Sequence, residues 1–179
     1  IQIARAYAAI ANGGYLVTPH LSKNESEALL NQKPVKIDID PNNIQLARAY
    51  AAIANGGYLV TPHLVKKDDE NVSDKKLIKI DIDPKNIQLV KNGLRKVVES
   101  GTGVSINYGI SNLPPVSGKT GTAEDGEGGT DHAWFVCFTP SDKSELLIVA
   151  FAQNTPGGGA VHALPMAKKI LRAWNNNKL

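Results

Sequence analysis

The sequence predicts an α+β fold in which an antiparallel β-sheet is flanked by helices. Three strand-like stretches follow one another in the C-terminal half, and loops rich in glycine or polar residues join them. They are Val116–Ala123, Ala133–Phe138 and Leu146–Gln153. Short connections of this kind favour antiparallel neighbours, and helical patterns of apolar residues before and after the strands supply the covering layers.

Composition places the chain among ordinary one-domain globular proteins. Its 179 residues are 42% hydrophobic and 21% charged with a net charge of +3, which excludes disordered and collagen-like classes. Lysine and arginine are scattered, so we expect no nucleic-acid partner. The single cysteine, Cys137, cannot form an intrachain disulfide, and we expect a buried, inert thiol. Since the chain starts at Ile1 without a leader and lacks a long apolar run, we expect a soluble fragment, and any anchor or export signal of a parent protein would lie upstream.

An internal repeat dominates the N-terminal half. Ala4–Leu21 recurs letter for letter at Ala47–Leu64, 43 residues later, while the linkers that follow the two copies share almost nothing. Two copies are fewer than a stacked helical array needs to close its core. We expect residues 1–43 to form a duplicated helix–strand unit and residues 44–179 to form the main domain. A natural duplication and an engineered copy both remain open.

Each copy reads as helix, turn, short strand, polar loop and strand. In the second copy Asp40 is a good N-cap before a proline, and Asn55–Gly57 provides a left-handed end for the helix. Tyr58–Val60 and Lys79–Ile82 are then predicted strands. The linker between them, Lys66–Lys76, is charged and nearly free of apolar residues, which is typical of a solvated hairpin tip.

Two further helices complete the predicted fold. One begins after Asp83, carries apolar residues at helical spacing from Ile87 to Val98, and ends at Ser100–Gly103. The other has an apolar stripe along Leu164–Trp174, with which we expect it to cover the sheet.

The most specific motif lies on the first of the three predicted sheet strands. Lys119-Thr120-Gly121, within Val116–Glu124, is a signature of serine acyl-transfer enzymes that act on penicillin. A fixed ammonium and a hydroxyl together suit a carboxylate, and a glycine lets a substrate backbone come close. A backbone N–H at the strand edge can stabilise the oxyanion that develops during acyl transfer. The sequence therefore predicts a carboxylate and oxyanion site on this strand.

Four motifs follow one another along the chain: Leu46–Leu64, Ser100–Gly103, Gly118–Glu124 and His132–Val136. This is the order found in class B penicillin-binding proteins, and the chain resembles that family over residues 44–175. The resemblance is closest to the elongation type, penicillin-binding protein 2, partly because Gly157–Ala160 leads into the final helix as it does there.

The resemblance implies a partial penicillin-binding transpeptidase fold, which is β-lactamase-like, and it implies roles for the motif residues. Lys119 would be the triad lysine of the third motif, and Thr120 would bind the carboxylate of the peptide or the β-lactam. Gly121 would lie against the substrate backbone, and Thr122 would offer its backbone N–H to the oxyanion hole.

The resemblance also implies a parent protein that is a serine-type D-Ala-D-Ala transpeptidase of peptidoglycan synthesis and cell shape, and a target of β-lactams. That parent would be anchored in the membrane and face the periplasm or cell-wall space. Its partners at this site would be a peptidoglycan stem peptide or a β-lactam, with no cofactor and no metal.

The family's nucleophile, a serine in Ser-x-x-Lys, and its Ser-x-Asn motif both lie upstream of the resembling region. Ser73–Lys76 fits the first pattern, but it lies in the charged linker, where nothing would desolvate Lys76 enough to make it a base. Ser22–Asn24 and Ser105–Asn107 fit the second pattern, which is short enough to recur by chance. We therefore expect this chain alone to be catalytically inactive.

The remaining candidates are interpreted mainly as structural. His132 precedes an apolar strand, so we expect it to be packed or hydrogen-bonded rather than a base or metal ligand. Trp134 and Phe135 are expected in the core or the wall of a cleft. Glu124 and Asp131 flank a glycine-rich loop, where they either shape the substrate groove or are solvated charges.

Two alternative functions remain open. The duplicated helical unit can serve as a binding or self-assembly module without chemistry, and a β-lactamase can share the Lys-Thr-Gly motif. Only one copy of the repeated helix can occupy the family's groove on the sheet. We expect the other copy to pack elsewhere or to exchange with a second chain, which predicts a homodimer.

Overall fold

A computed structural model of the chain describes five stretches of residues, and the chain divides into two compact units. The described stretches are 15–16, 35–36, 41–62, 78–124 and 131–177. One unit comprises residues 43–60 and 77–179, and the other comprises residues 1–42 and 61–76. The first unit holds the main sheet and its helices. The expected division at residue 43 stays a prediction.

The main sheet has three antiparallel strands that lie side by side in chain order, which confirms the predicted α+β class. The strands are β5 (Ser117–Ala123), β6 (His132–Thr139) and β7 (Leu146–Ala152). The pairing places Thr120 opposite Phe135, and Phe135 opposite Ala150. Each strand agrees with its predicted bounds to within one residue.

The central strand β6 is apolar because both faces of the sheet are covered. Phe135 and Cys137 point to one face, where they join a core cluster with Leu164 and Leu171 of the last helix, α3 (Ala163–Asn176). Phe138 points to the other face and packs in a second cluster. The helix predicted to cover the sheet therefore does so, through its apolar stripe.

Helix α2 (Pro84–Ser100) precedes β5 in the chain. It begins at Asp83, whose side-chain oxygen accepts a hydrogen bond from the Lys85 N–H at 2.8 Å. It ends where the N–H groups of Gly101 and Gly103 both donate to the carbonyl of Val97, at 3.2 and 3.0 Å. A short 3-10 helix, Val104–Asn107, follows the turn.

Helix α1 (Pro41–Ala54) ends as predicted, because Gly56 and Gly57 adopt φ values of 82° and 100° that only glycine accepts easily. The short strands β3 (Tyr58–Leu59) and β4 (Ile78–Lys79) then pair as an antiparallel hairpin. The expected strand as far as Ile82 was wrong. The Ile82 N–H bonds to the carbonyl of Ile80, so the chain turns there before α2 begins.

The repeated sequence forms the same small hairpin twice. Strands β1 (Tyr15–Leu16) and β2 (Val35–Lys36) pair in one unit, and Tyr15 lies opposite Lys36. In the other unit Tyr58 lies opposite Lys79, which is the same register 43 residues later. The predicted cap Asp40 and the linker Lys66–Lys76 lie outside the described residues. In the described part of the chain, every helix is too short or too polar to span a bilayer.

Candidate functional site

The four predicted site residues are neighbours on β5, which lies at one edge of the described sheet. Lys119 and Thr122 are exposed, and Thr120 and Gly121 are half-buried. The strand alone brings them together, because successive residues of a strand rise only about 3.3 Å. The four residues are therefore close enough to act on one ligand, and their carboxylate and oxyanion roles stay a prediction.

The ammonium of Lys119 lies along the outer edge of β5. Its Nζ donates to the carbonyl oxygen of Thr120 at 2.6 Å. In an antiparallel strand the N–H and C=O of one residue point to the same side, and the side alternates from residue to residue. The backbone N–H groups of Thr120 and Thr122 therefore point to the same outer edge as that carbonyl. One edge thus presents a cation and two backbone donors.

A second hydroxyl, which the sequence analysis did not identify, lies beside that of Thr120. Thr102 Oγ1 is 2.7 Å from Thr120 Oγ1, a distance at which one hydroxyl donates to the other. Thr102 lies in the turn after α2, between Gly101 and Gly103. The Ser100–Gly103 motif served the sequence analysis as a helix end and a family landmark. The threonine between the two glycines of this motif is the sequence signal that could have identified the second hydroxyl.

The glycine loop before α3 crosses the inner side of β5. A Cβ atom on Gly159 would lie 2.8 Å from the carbonyl oxygen and 3.0 Å from the nitrogen of Gly121, and would also collide with the carbonyl of Trp134. A Cβ atom on Gly158 would collide with the hydroxyl of Thr122. These glycines therefore allow the loop to touch the site strand and to fix its position.

The aromatic residues of β6 are packed, as predicted. His132 accepts a hydrogen bond at Nδ1 from the Asn154 N–H at 3.2 Å, and its ring meets those of Trp134 and Phe151 edge-on. Trp134 is half-buried and donates from Nε1 to the Asn43 side chain at 2.9 Å. Phe135 is fully buried.

The single thiol is structural, as predicted. Cys137 is buried, and its burial raises the pKa of the thiol to about 12, so it stays protonated at neutral pH. Its neighbours in the core are apolar.

Of the serine motifs weighed as substitutes, only Ser105–Asn107 lies among the described residues, and it is held by other contacts. Within Ser105–Asn107 the Asn107 side chain donates to the carbonyl of Val98, and Ile106 is fully buried. Ser73–Lys76 and Ser22–Asn24 lie outside the described residues. Glu124 is exposed at the end of β5. The described residues contain no group of three His, Cys, Asp or Glu side chains that could hold a metal.

Comparison with known families gives one match over most of the chain. The family described as penicillin binding protein transpeptidase domain matches residues 39–172. That range includes the second copy of the repeated segment, Ala47–Leu64, and not the first, Ala4–Leu21.

Individual relatives agree with this match. The peptidoglycan D,D-transpeptidase MrdA of Haemophilus influenzae is 30% identical over 103 residues, which cover 50% of this chain and 16% of that protein. The crystal structure of Pseudomonas aeruginosa PBP2 in complex with WCK 5153 is 28% identical, with a TM-score of 0.60 over 82% of this chain and 31% of that one. Penicillin-binding protein A of M. tuberculosis, solved as an imipenem acyl-enzyme complex, shares the fold at 21% identity, with a TM-score of 0.58 over 97% of this chain and 42% of that one. The chain thus spans less than half the length of these proteins.

Proposed function

Because the chain belongs to the penicillin-binding protein transpeptidase family, and is similar to its penicillin-binding protein 2 members, we propose that it carries the carboxylate and oxyanion side of a peptidoglycan D,D-transpeptidase site. The substrate is a stem peptide that ends in D-Ala-D-Ala, and a β-lactam occupies the same place. The parent protein is anchored in the membrane and faces the cell-wall space.

The edge of β5 supports this proposal, because three kinds of group converge there. The Lys119 ammonium and the Thr120 hydroxyl suit the terminal carboxylate of the peptide. The outward N–H of Thr122 suits the carbonyl oxygen of the bond to be cleaved. A donor placed at that oxygen gains strength as the oxygen becomes an oxyanion, so it favours the transition state over the ground state.

The reaction also needs a nucleophilic serine, which is not part of the Lys119–Thr122 motif on β5. That serine attacks the amide between the two D-alanines, its proton passes to the leaving amine, and the last D-alanine departs. An amine of a neighbouring stem peptide then takes the acyl group and restores the serine hydroxyl. The residues of β5 hold the substrate and the developing negative charge. On this proposal the chain alone binds but does not acylate.

Labelling with a fluorescent penicillin tests the proposed inactivity. After incubation and denaturing electrophoresis, we expect no covalent band from the chain by itself, because its one Ser-x-x-Lys match, Ser73–Lys76, lies in a charged linker. A labelled band, with mass mapping of the modified serine, would contradict this part of the proposal.

Ligand titration tests the binding site. N-acetyl-D-Ala-D-Ala and its C-terminal amide are titrated into the chain and followed by nuclear magnetic resonance. We expect the acid to bind more tightly than the amide, and Lys119→Gln to remove most of that preference. Lys143→Gln, a matched change in the turn between β6 and β7, should leave it intact. Equal affinity for acid and amide in the unmodified chain would contradict the carboxylate site.

We also propose that the chain self-associates through its repeated segment. In the second copy, α1 packs into a cluster formed by Tyr50, Ile53, Ala54, Leu94 and Phe138. The first copy has the same letters at the equivalent positions, which are Tyr7, Ile10 and Ala11. Trp134 also donates a hydrogen bond to the side chain of Asn43, which precedes the second copy and is not part of the repeated segment. This bond favours the second copy, rather than the first, as the one that packs against Leu94 and Phe138. The first copy is then available to a second chain.

Sedimentation over a wide concentration range tests the exchange. We expect a dimer at high concentration, and Tyr7→Ala should weaken it because the variant removes the aromatic side chain that fills the groove. Tyr108→Ala changes an exposed tyrosine outside the repeat and serves as the control. A monomer at every concentration would contradict the proposal.

A further inference from the structure

We propose that Thr102 is a positioning residue for the carboxylate site: its hydroxyl donates to that of Thr120 and directs the Thr120 proton toward the ligand. The inference rests on the proposed function, and it adds a residue from the α2 turn to a site otherwise built on β5. The juxtaposition that carries it is the 2.7 Å between Thr102 Oγ1 and Thr120 Oγ1.

The direction of this hydrogen bond follows from the chemistry of the ligand. Each threonine hydroxyl has one proton to donate and two lone pairs that accept. A carboxylate only accepts, so when Thr120 binds it the Thr120 proton must point to the carboxylate. The bond between the two threonines can then persist only if Thr102 is the donor. A hydroxyl that accepts one hydrogen bond is a stronger donor in the next, so Thr102 also strengthens the contact of Thr120 with the anion.

The turn that carries Thr102 is fixed by its contacts with the end of α2 and with the core. The N–H groups of Gly101 and Gly103 both donate to the Val97 carbonyl at the end of α2. A Cβ atom on Gly101 would lie 2.9 Å from that carbonyl oxygen, and one on Gly103 would lie 3.4 Å from the ring of Phe135. The backbone therefore lies tight against the helix end and the core, which leaves Thr102 little freedom to move away from β5.

The side chain of Thr102 takes no part in the core. The residue is exposed, so its hydroxyl can be removed without opening a cavity. Thr102→Val keeps the shape and the β-branch that restricts χ1, but it removes the donor. Thr102→Ser keeps the donor. The pair separates the effect of the hydroxyl from the effect of packing.

The full chain is titrated with N-acetyl-D-Ala-D-Ala and with its C-terminal amide, and the ratio of the two Kd values is the readout. We expect Thr102→Val to lower the preference for the acid by about fivefold, the scale of one hydrogen bond, with the affinity for the amide and the Tm unchanged. Thr102→Ser should restore most of the preference. Ser144→Ala is the control, because that hydroxyl donates to the Pro140 carbonyl in the turn after β6.

Thr120→Val distinguishes failure of the inference from failure of the proposed function. If the unmodified chain prefers the acid and Thr120→Val removes the preference while Thr102→Val does not, the positioning role is overturned and the function stands. If Thr102→Val weakens acid and amide equally, or Thr102→Ser fails to restore the preference, the role is packing and the inference is overturned. If the unmodified chain shows no preference for the acid, the proposed function fails and the inference fails with it.

Discussion

Two neighbouring strands of one sheet divide stability and chemistry between them. β6 lies between two partners, and all of its residues except His132 and Trp134 are buried. β5 lies at an edge of the described sheet, and only Ser117 and Gly118 at its start are buried. Position in the sheet therefore decides which strand can expose polar groups to a ligand.

The two strands are nevertheless coupled through their register. Thr120 lies opposite Phe135, so the residue that offers a hydroxyl at the edge is paired with a fully buried ring of the core. The loop at Gly159 fixes the same part of β5 from the inner side. A rigid central strand can thus hold an exposed strand in place, and this is what a preformed binding site requires.

The largest effect is expected on the β6 side of the comparison. Phe135→Ala removes a fully buried ring, and unfolding by denaturant should show a loss of about 3–5 kcal/mol. Phe151→Ala is the matched change on β7, where the ring is only half-buried, and it should cost clearly less. If the two variants lost equal amounts of unfolding free energy, the expected difference between the fully buried Phe135 and the half-buried Phe151 would be contradicted.

A smaller loss is expected where the inner loop meets the site strand. Gly159→Ala places a Cβ atom against the backbone of Gly121 and Trp134, so either the loop or β5 must shift, at a cost of about 2 kcal/mol in the free energy of unfolding. Gly93→Ala is the control, since a Cβ atom there meets nothing within 4 Å and a helix favours alanine. A Gly159→Ala variant as stable as the unmodified chain would show that this contact does not hold the strand.

The sheet and the two later helices could be predicted from the sequence because their signals are local. β6 is an apolar run between polar loops, and α2 has a proline after the capping Asp83. The site strand was also predictable, since Lys119–Thr122 is a contiguous motif whose placement needs only the strand itself. Each of these predictions depends on residues close together in the chain.

The features that were missed depend on contacts between distant residues. The Thr102 and Thr120 hydroxyls are 18 residues apart in sequence, and Asn43 is 91 residues from Trp134. No periodicity or turn rule links such pairs, because the fold sets the distance between them. The strand expected as far as Ile82 failed for a related reason: its alternation was right for a strand, but a hydrogen bond back to Ile80 ends the pairing.

The buried Cys137 thiol on β6 should make the stability of the chain depend on pH. The folded Cys137 thiol keeps its proton up to a pKa of about 12, whereas an unfolded thiol loses its proton near pH 8.5. The stability that the neutral thiol contributes is thus complete below about pH 8.5 and is lost as the pH rises toward the folded pKa. Between pH 7 and pH 10 the free energy of unfolding of the unmodified chain should fall by about 1–2 kcal/mol more than that of Cys137→Ala. Parallel pH profiles for the two proteins would show that the thiol is accessible in the folded state.

The smallest effect on stability is expected at Lys119, and its smallness is the sharpest test of the division between the strands. Its side chain is exposed and lies along the outer edge of β5, so Lys119→Gln should change the free energy of unfolding by less than about 0.5 kcal/mol. The same variant should remove most of the preference for N-acetyl-D-Ala-D-Ala over its amide, because in the proposed site the ammonium binds the carboxylate. If Lys119→Gln instead destabilised the chain as much as Gly159→Ala, the ammonium would mainly stabilise the folded edge strand. Chemistry and stability would then share β5 rather than be divided between β5 and β6.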